Sequence, residues 1–237
     1  MVVRKKIVLK VTGEVFIDKS DRSFTVKHFT HLAEQICSLQ ETHQFCIVMG
    51  GGNFFRGFNY TNSATIGIAH TTSHQVGMLA TIMNGLIVKD LLEQQSVNST
   101  FLCALHCPEV SSIVSPANIA QAIKAGDTII FGGGTGNPFF TTDTSAIIRA
   151  LQVGATEIWK ATTVDGVYTT DPNKDSNAQL LKHISLQHAI DQKIGIMDRT
   201  AYVLALEHNR SIKVFNIFVT NALVQAASQT NFGSVIS

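Results

Sequence analysis

The run Gly133-Gly134-Thr135-Gly136-Asn137-Pro138-Phe139-Phe140-Thr141-Thr142-Asp143-Thr144 lies between an apolar segment, Thr128 to Phe131, and a helical pattern beginning at Ser145. A β-type run, a glycine-rich turn and a helix start carrying hydroxyls and a carboxylate bring backbone N–H groups together around an anion. The stretch therefore predicts a phosphate cradle. It is not a Walker A loop, because no Gly-Lys-Ser/Thr closes it, and it lacks the Gly-x-Gly-x-x-Gly spacing of a dinucleotide site. A second cluster, Gly50-Gly51-Gly52, follows the apolar run Phe45 to Met49, and a third turn, Thr12-Gly13-Glu14, follows Ile7 to Val11. Three strand-to-glycine turns imply one crevice that holds several phosphates.

Outward from these turns, strands and helices alternate. Lys5 to Val11, Phe45 to Met49, Ser99 to Leu105, Thr128 to Phe131, Glu157 to Ala161 and Ile212 to Ile217 read as strands. Apolar residues at helical spacing mark Phe24 to Leu39 and Thr71 to Glu93, and shorter helices are expected at Ala117–Lys124, Thr141–Gln152, Ser185–Gln192 and Thr200–His208. Such alternation predicts an α/β fold with a mostly parallel central sheet flanked by helices on both faces. Asp165-Gly166 reads as a hairpin signal, and nothing after Ile217 is assigned to an element.

With 237 residues the chain is long enough for one large domain or two lobes around one sheet. A net charge of +1 with 15% charged residues leaves no basic field of the kind nucleic acids require. Hydrophobic content of 45% and a mean hydropathy of +0.18 point to apolar surface buried in an oligomer. No apolar run approaches the roughly 20 residues of a bilayer span. Arg4-Lys5-Lys6 leads into a strand rather than a signal peptide, so a cytoplasmic protein without membrane contact is expected. The four cysteines form no Cys-x-x-Cys pair and are expected as reduced thiols.

A set of motifs spread along nearly the whole chain now bears on function. These are Gly50 to Gly57, Gly77-Met78-Leu79-Ala80-Thr81, Gly134 to Asp143, Lys160 to Tyr168, Asp171-Pro172 and Met197-Asp198. Together and in this order the chain resembles the bacterial-type uridylate kinases of the amino acid kinase fold. That resemblance implies an αβα sandwich that transfers the ATP γ-phosphate to UMP with Mg2+. It also implies a homohexamer that responds to nucleotides such as GTP or UTP. It divides residues 1–237 into an acceptor lobe, about 1–150, and an ATP lobe, about 151–237.

Phosphoryl transfer asks a protein chiefly to align two phosphates and to neutralise the charge spread over the transferring oxygens. Lys10 and Lys160 each stand at the carboxyl end of an expected strand, where a parallel sheet opens toward ligand. A lysine at a strand end is ordinarily just solvated. Beside Gly13 and Thr162, and with the resemblance, these two are read as the phosphate-holding cations. Asp143 in the first turn of its helix could simply serve the helix dipole. The resemblance instead makes Asp143 the residue that orders the lysines, with Asp198 as a second candidate. Neither has to act as a base, since the acceptor phosphate is already ionised.

On the acceptor side the resemblance carries over Gly51, His74, Thr135, Gly136, Asn137, Pro138, Phe139, Phe140, Thr141 and Thr142 as UMP-binding, with one of the two phenylalanines expected in the core. On the donor side it carries over Lys10, Val11, Thr12, Gly13, Gly52, Arg56, Thr162, Tyr168 and Asp171. Thr12 stands where the family commonly has serine and keeps the hydroxyl. A sharper departure lies before Gly77, where the family has an arginine and, four residues later, an aspartate that holds the ribose hydroxyls. Here those positions are His70 and His74. A neutral imidazole accepts one hydrogen bond where a carboxylate accepts two with charge assistance. Two other readings remain open at this level: a non-catalytic nucleotide sensor built on the same fold, and a kinase that forms an acyl phosphate on a small amino acid.

Overall fold

Strand β1 (Lys5–Val11) sends its side chains alternately to opposite sides, and that alternation divides the molecule into layers. Ile7, Leu9 and Val11 enter one apolar core, while Val8 enters a second. The computed structural model describes residues 4–55, 67–170, 175 and 177–237.

The other strands are β2 (His43–Met49), β3 (Ser99–Cys103), β4 (Ser112–Ile113), β5 (Thr128–Gly132), β6 (Glu157–Thr162), β7 (Val167–Tyr168), β8 (Leu180–Leu181), β9 (His183–Ile184), β10 (Ser211–Asn216) and β11 (Ser234–Ile236). Among the described residues nine strands form one sheet in the order β4-β3-β5-β2-β1-β6-β10-β11-β9. All neighbours run parallel except β10 and β11. Helices α1 (Lys27–Leu39), α2 (His70–Gln94) and α7 (Ala222–Ser228) cover the first core. On the other side lie α3 (Pro116–Ala125), α4 (Thr142–Val153), α5 (Leu186–Asp191) and α6 (Arg199–Glu207). The expected α/β sandwich with a mostly parallel sheet is the fold observed.

Local sequence explains the helix limits. Ser115 Oγ accepts from Asn118 N and Pro116 opens α3, while Thr141 Oγ1 accepts from Asp143 N to start α4. Gly126 and Gly154, at φ 79° and 71°, close the same two helices in the left-handed region. Helix α1 starts at Lys27 rather than Phe24, because Phe24 is bridged antiparallel to Ile17. Strand β3 stops at Cys103, two residues short of Leu105. All four cysteines are free thiols.

Three expectations are corrected. Asp165-Gly166 does not join two paired strands: β7 pairs antiparallel with β8 in a separate two-stranded sheet. Asp165 instead accepts from Asn216 Nδ2 at 2.9 Å, fastening this segment to the end of β10. The stretch after Ile217 contains α7 and β11, and β11 reverses direction to join the sheet. Helix α2 does have the length and hydropathy of a bilayer span. It is nevertheless a core helix, with Ile82, Val88, Leu91 and Leu92 buried among the first-core residues. Gly85 lets it approach β3 so closely that a methyl group there would lie 2.6 Å from the Phe101 ring.

Candidate active site

Strands β5, β2, β1 and β6 are successive neighbours, so the carboxyl ends that carry the three glycine turns open side by side. Lys10 of β1 and Lys160 of β6 are paired in register. Partners in a parallel pair leave the sheet on the same face, and here both ammonium groups meet a carboxylate from the start of α4. Lys10 Nζ lies 3.0 Å from Asp143 Oδ1 and Lys160 Nζ lies 2.6 Å from Oδ2. Lys160 also donates to the Ile196 carbonyl. Lys10 and Lys160 thus converge rather than diverge, because register decides where strand-end side chains go.

All three side chains are largely buried. Burial acts to raise the Asp143 carboxyl, but the charges of Lys10 and Lys160 outweigh it and hold the group below its ordinary value. Burial, then the nearby charge of Lys10, pulls the Lys160 ammonium down to about 8 against the opposing influence of Asp143. Two cations share one carboxylate, so the cluster carries net positive charge in a poorly solvated place. Such an arrangement is costly alone and is relieved by an incoming anion.

Asp198 does different work. It is the N-cap of α6, accepting from Ala201 N at 2.8 Å, and its carboxylate also accepts from the hydroxyls of Thr141 and Thr144 and from Thr144 N. One side chain thereby ties the start of α4 to the start of α6.

Two cavities are each lined by a neighbour of the lysine-aspartate cluster. One, of about 440 Å³, is lined by Gly51, Gly52, His70, His74, Gly134, Phe140, Thr141 and Thr142 among others, the last of these adjoining Asp143. The other, of about 700 Å³, is lined by Gly166, Tyr168, Thr170, His188 and Ile196, whose carbonyl receives Lys160. Of the residues expected on the acceptor side, Gly51, His74, Phe140, Thr141 and Thr142 share the first cavity, which Gly52 also joins. Thr135 to Phe139 do not line it. Tyr168 lines the second cavity, whereas Thr12 and Gly13 sit beside the turn after β2, where a methyl group on Gly13 would come 3.0 Å from the Gly50 carbonyl. Val11 is buried and Thr162 ends β6. Arg56 and Asp171 lie outside the described residues.

The expectation that one phenylalanine enters the core is corrected: Phe139 is 65% and Phe140 47% exposed. Phe139 adopts φ 71°, a left-handed conformation unfavourable for an aromatic residue, and packs its ring 5.0 Å from that of His74. His70 and His74 both face the first cavity, and no group of three or more metal-ligating side chains occurs among the described residues.

Sequence reading passed over the residues that brace the turns. Buried Asn84 on α2 donates to Gly50 O and exchanges amide hydrogen bonds with Asn53, all within 3.0 Å. Thr81 Oγ1 accepts from Gly133 N at 2.9 Å. The available signal was two polar residues, at i and i+3, inside an otherwise apolar stretch of a long helix.

Residues 5–216 match the family model described as the amino acid kinase family. The chain belongs to the amino acid kinase family. Within this family it is 38% identical to the uridylate kinase of Mycoplasma genitalium over 99% of this chain and 96% of that one. The crystal structure of UMP kinase from Ureaplasma parvum superposes with a TM-score of 0.92 at 35% identity, covering 99% of both chains. UMP kinase from Bacillus anthracis follows at a TM-score of 0.91 and 28% identity, over 98% of this chain and 96% of that one.

Proposed function

We propose that this protein transfers the γ-phosphoryl group of ATP to UMP, releasing ADP and UDP. The observation that carries this reading is a net-positive, buried Lys10–Asp143–Lys160 cluster whose neighbours Thr142 and Ile196 line two separate cavities, each of a size for a nucleotide. The near full-length likeness to uridylate kinases selects UMP as acceptor over the small amino acid of the acyl-phosphate reading. It also favours catalysis over a silent sensor. An acceptor phosphate oxygen attacks Pγ, the bond from Pγ to the bridging oxygen breaks, and ADP leaves with the electron pair. Lys10 and Lys160 hold the transferring and β-phosphate oxygens, Asp143 keeps the two ammonium groups at the spacing those oxygens need, and Asp198 positions the Thr141–Thr144 turn. ADP release measured with UMP, CMP, dUMP and no acceptor tests the reading; turnover with none of them, in protein that binds ATP, overturns it.

Magnesium is part of this proposal. The ion commonly keeps several waters and takes one or two carboxylates together with substrate phosphates. Asp143, which pairs with both lysines, and Asp198, whose charge acts on Lys160, are the carboxylates that would stand at the edge of such a site. Bound there, the ion supplies further charge neutralisation on the phosphates.

Supporting a two-lobe reading, the lining of the first cavity comes from residues 51–142 and that of the second from 164–196. We accordingly assign residues of about 1–150 to the acceptor and about 151–237 to ATP. The enzyme would act in the cytoplasm as a homo-oligomer. Supporting association, Leu79, Met83 and Leu86 of α2 are 51%, 49% and 36% exposed and fall at i, i+4 and i+7, an apolar stripe suited to a second copy. Sedimentation should give a multiple of 25.7 kDa, six copies in the hexamer reading, and a monomer at micromolar concentration would overturn it.

His74 stands where the resemblance places a ribose-binding aspartate. Restoring a second, charge-assisted acceptor is worth on the order of 1.5 to 3 kcal/mol. His74→Asp should therefore lower the KM for UMP roughly tenfold, and an unchanged KM would mean that this side chain does not touch the sugar.

A further inference from the structure

Arg149, on the buried side of α4, is 4% exposed and forms no ion pair among the described residues. Its Nη2 donates to the Gly134 carbonyl at 2.9 Å and its Nη1 to Gln152 Oε1 at 2.7 Å, while Nε is buried without a partner. The guanidinium lies 5.2 Å from the centre of the Phe131 ring. Burial lowers its pKa to about 10, which leaves it charged at neutral pH. A buried cation that faces a carbonyl instead of a carboxylate is an expensive choice unless the charge or the carbonyl matters.

The Gly134 carbonyl accepts a second bond, from Ser145 Oγ at 3.0 Å, so two donors from one helix turn hold it. Gly134 itself lines the first cavity.

We infer that Arg149 is a positioning residue for the acceptor: with Ser145 it locks Gly134, which lines the first cavity, and so fixes the cavity wall at the turn after β5, and it sets an unneutralised positive charge behind that wall. This rests on the reading of the first cavity as the acceptor site. Its mechanism is a cavity wall held in place and backed by a fixed charge, which differs from the direct contact offered by Lys10 and Lys160.

The test compares wild type with Arg149→Met, Arg149→Lys and Ser145→Ala by steady-state kinetics, with thermal unfolding recorded alongside. Arg149→Met should raise the KM for UMP about tenfold, the worth of one charge-assisted hydrogen bond, and leave the KM for ATP within about twofold. Arg149→Lys keeps the charge and should recover part of the loss. Ser145→Ala removes only the second donor to the same carbonyl and should shift the acceptor KM in the same direction by a smaller factor, so it decides the matter if Arg149→Met does not fold. Equal changes in both KM values, or a lowered melting temperature with an unchanged KM for UMP, would overturn the inference. Failure of the UMP reading shows up separately, in the wild type, as turnover of a different acceptor; the same split is then read with that acceptor.

Discussion

Asp143→Asn will lower kcat at neutral pH by about a hundredfold or more, on the scale seen when one preorganised charge contact is lost. The substitution keeps the shape but removes the one negative charge shared by Lys10 and Lys160. Two ammonium groups then face each other across a neutral amide in a buried site. Lys160, already drawn down to about 8 by burial and by Lys10, loses the influence that opposes that shift. Its proton is therefore given up at lower pH, and the variant should regain part of its activity as the assay is made more acidic. Leaving buried charge uncompensated costs on the order of 3 to 5 kcal/mol. For a chain of this size that corresponds to a melting temperature lower by roughly 10 °C. A pH–rate profile identical in shape and position to that of the wild type would show that Asp143 does not govern the lysines.

The second large effect has opposite signs for activity and stability. Lys160→Met should cost about 10² to 10³ in kcat, the range for losing one preorganised donor to a developing charge. Yet methionine removes a buried cation that burial penalises, so the unliganded variant should melt at or above the wild-type temperature. The pH dependence follows from the same group. Its folded value, about 8, is below its ordinary 10.5. Between those two values the unfolded chain binds more protons than the folded one, so this group's contribution to stability rises with pH across that window. Below about 8 the full cost of burying the charge is present. Activity moves the other way, since kcat/KM for ATP should fall as pH rises through about 8 and Lys160 loses its charge. Bound phosphates favour the ammonium form, so the basic limb of kcat should lie higher than that of kcat/KM. In Lys160→Met both the limb and the alkaline gain in stability should vanish; persistence of either would assign it to another group.

Both predictions depend on a meeting of residues far apart in the chain, and the sequence marks the participants better than the meeting. The strands were legible because apolar runs such as Phe45 to Met49 are buried on both faces, and the helices because of apolar spacing and stops such as Gly126 and Gly154. These are signals carried within a few residues. By the same means the three glycine turns declared an anion site, and the resemblance supplied the names of Lys10, Asp143, Lys160 and Asp198.

What no local pattern contains is register and neighbourhood. That Lys10 pairs with Lys160 follows from β1 lying beside β6, and that Asp143 reaches both follows from α4 packing on the face where those side chains emerge. Asp165-Gly166 looked like a hairpin because turn chemistry is local, whereas its partner is Asn216 at the end of another strand. One of Phe139 and Phe140 was expected in the core because both are aromatic, but the loop that carries them leaves both exposed, with Phe140 on the first cavity. Nothing local in the sequence singles out Arg149, and only the fold sets its guanidinium against the Gly134 carbonyl. The sequence by itself determined which elements form and which residues carry charge to the site, because those depend on nearest neighbours along the chain. Tertiary structure decided which charges share a carboxylate and which peptide faces the cavity, because those depend on contacts made only once the sheet order and strand register are set.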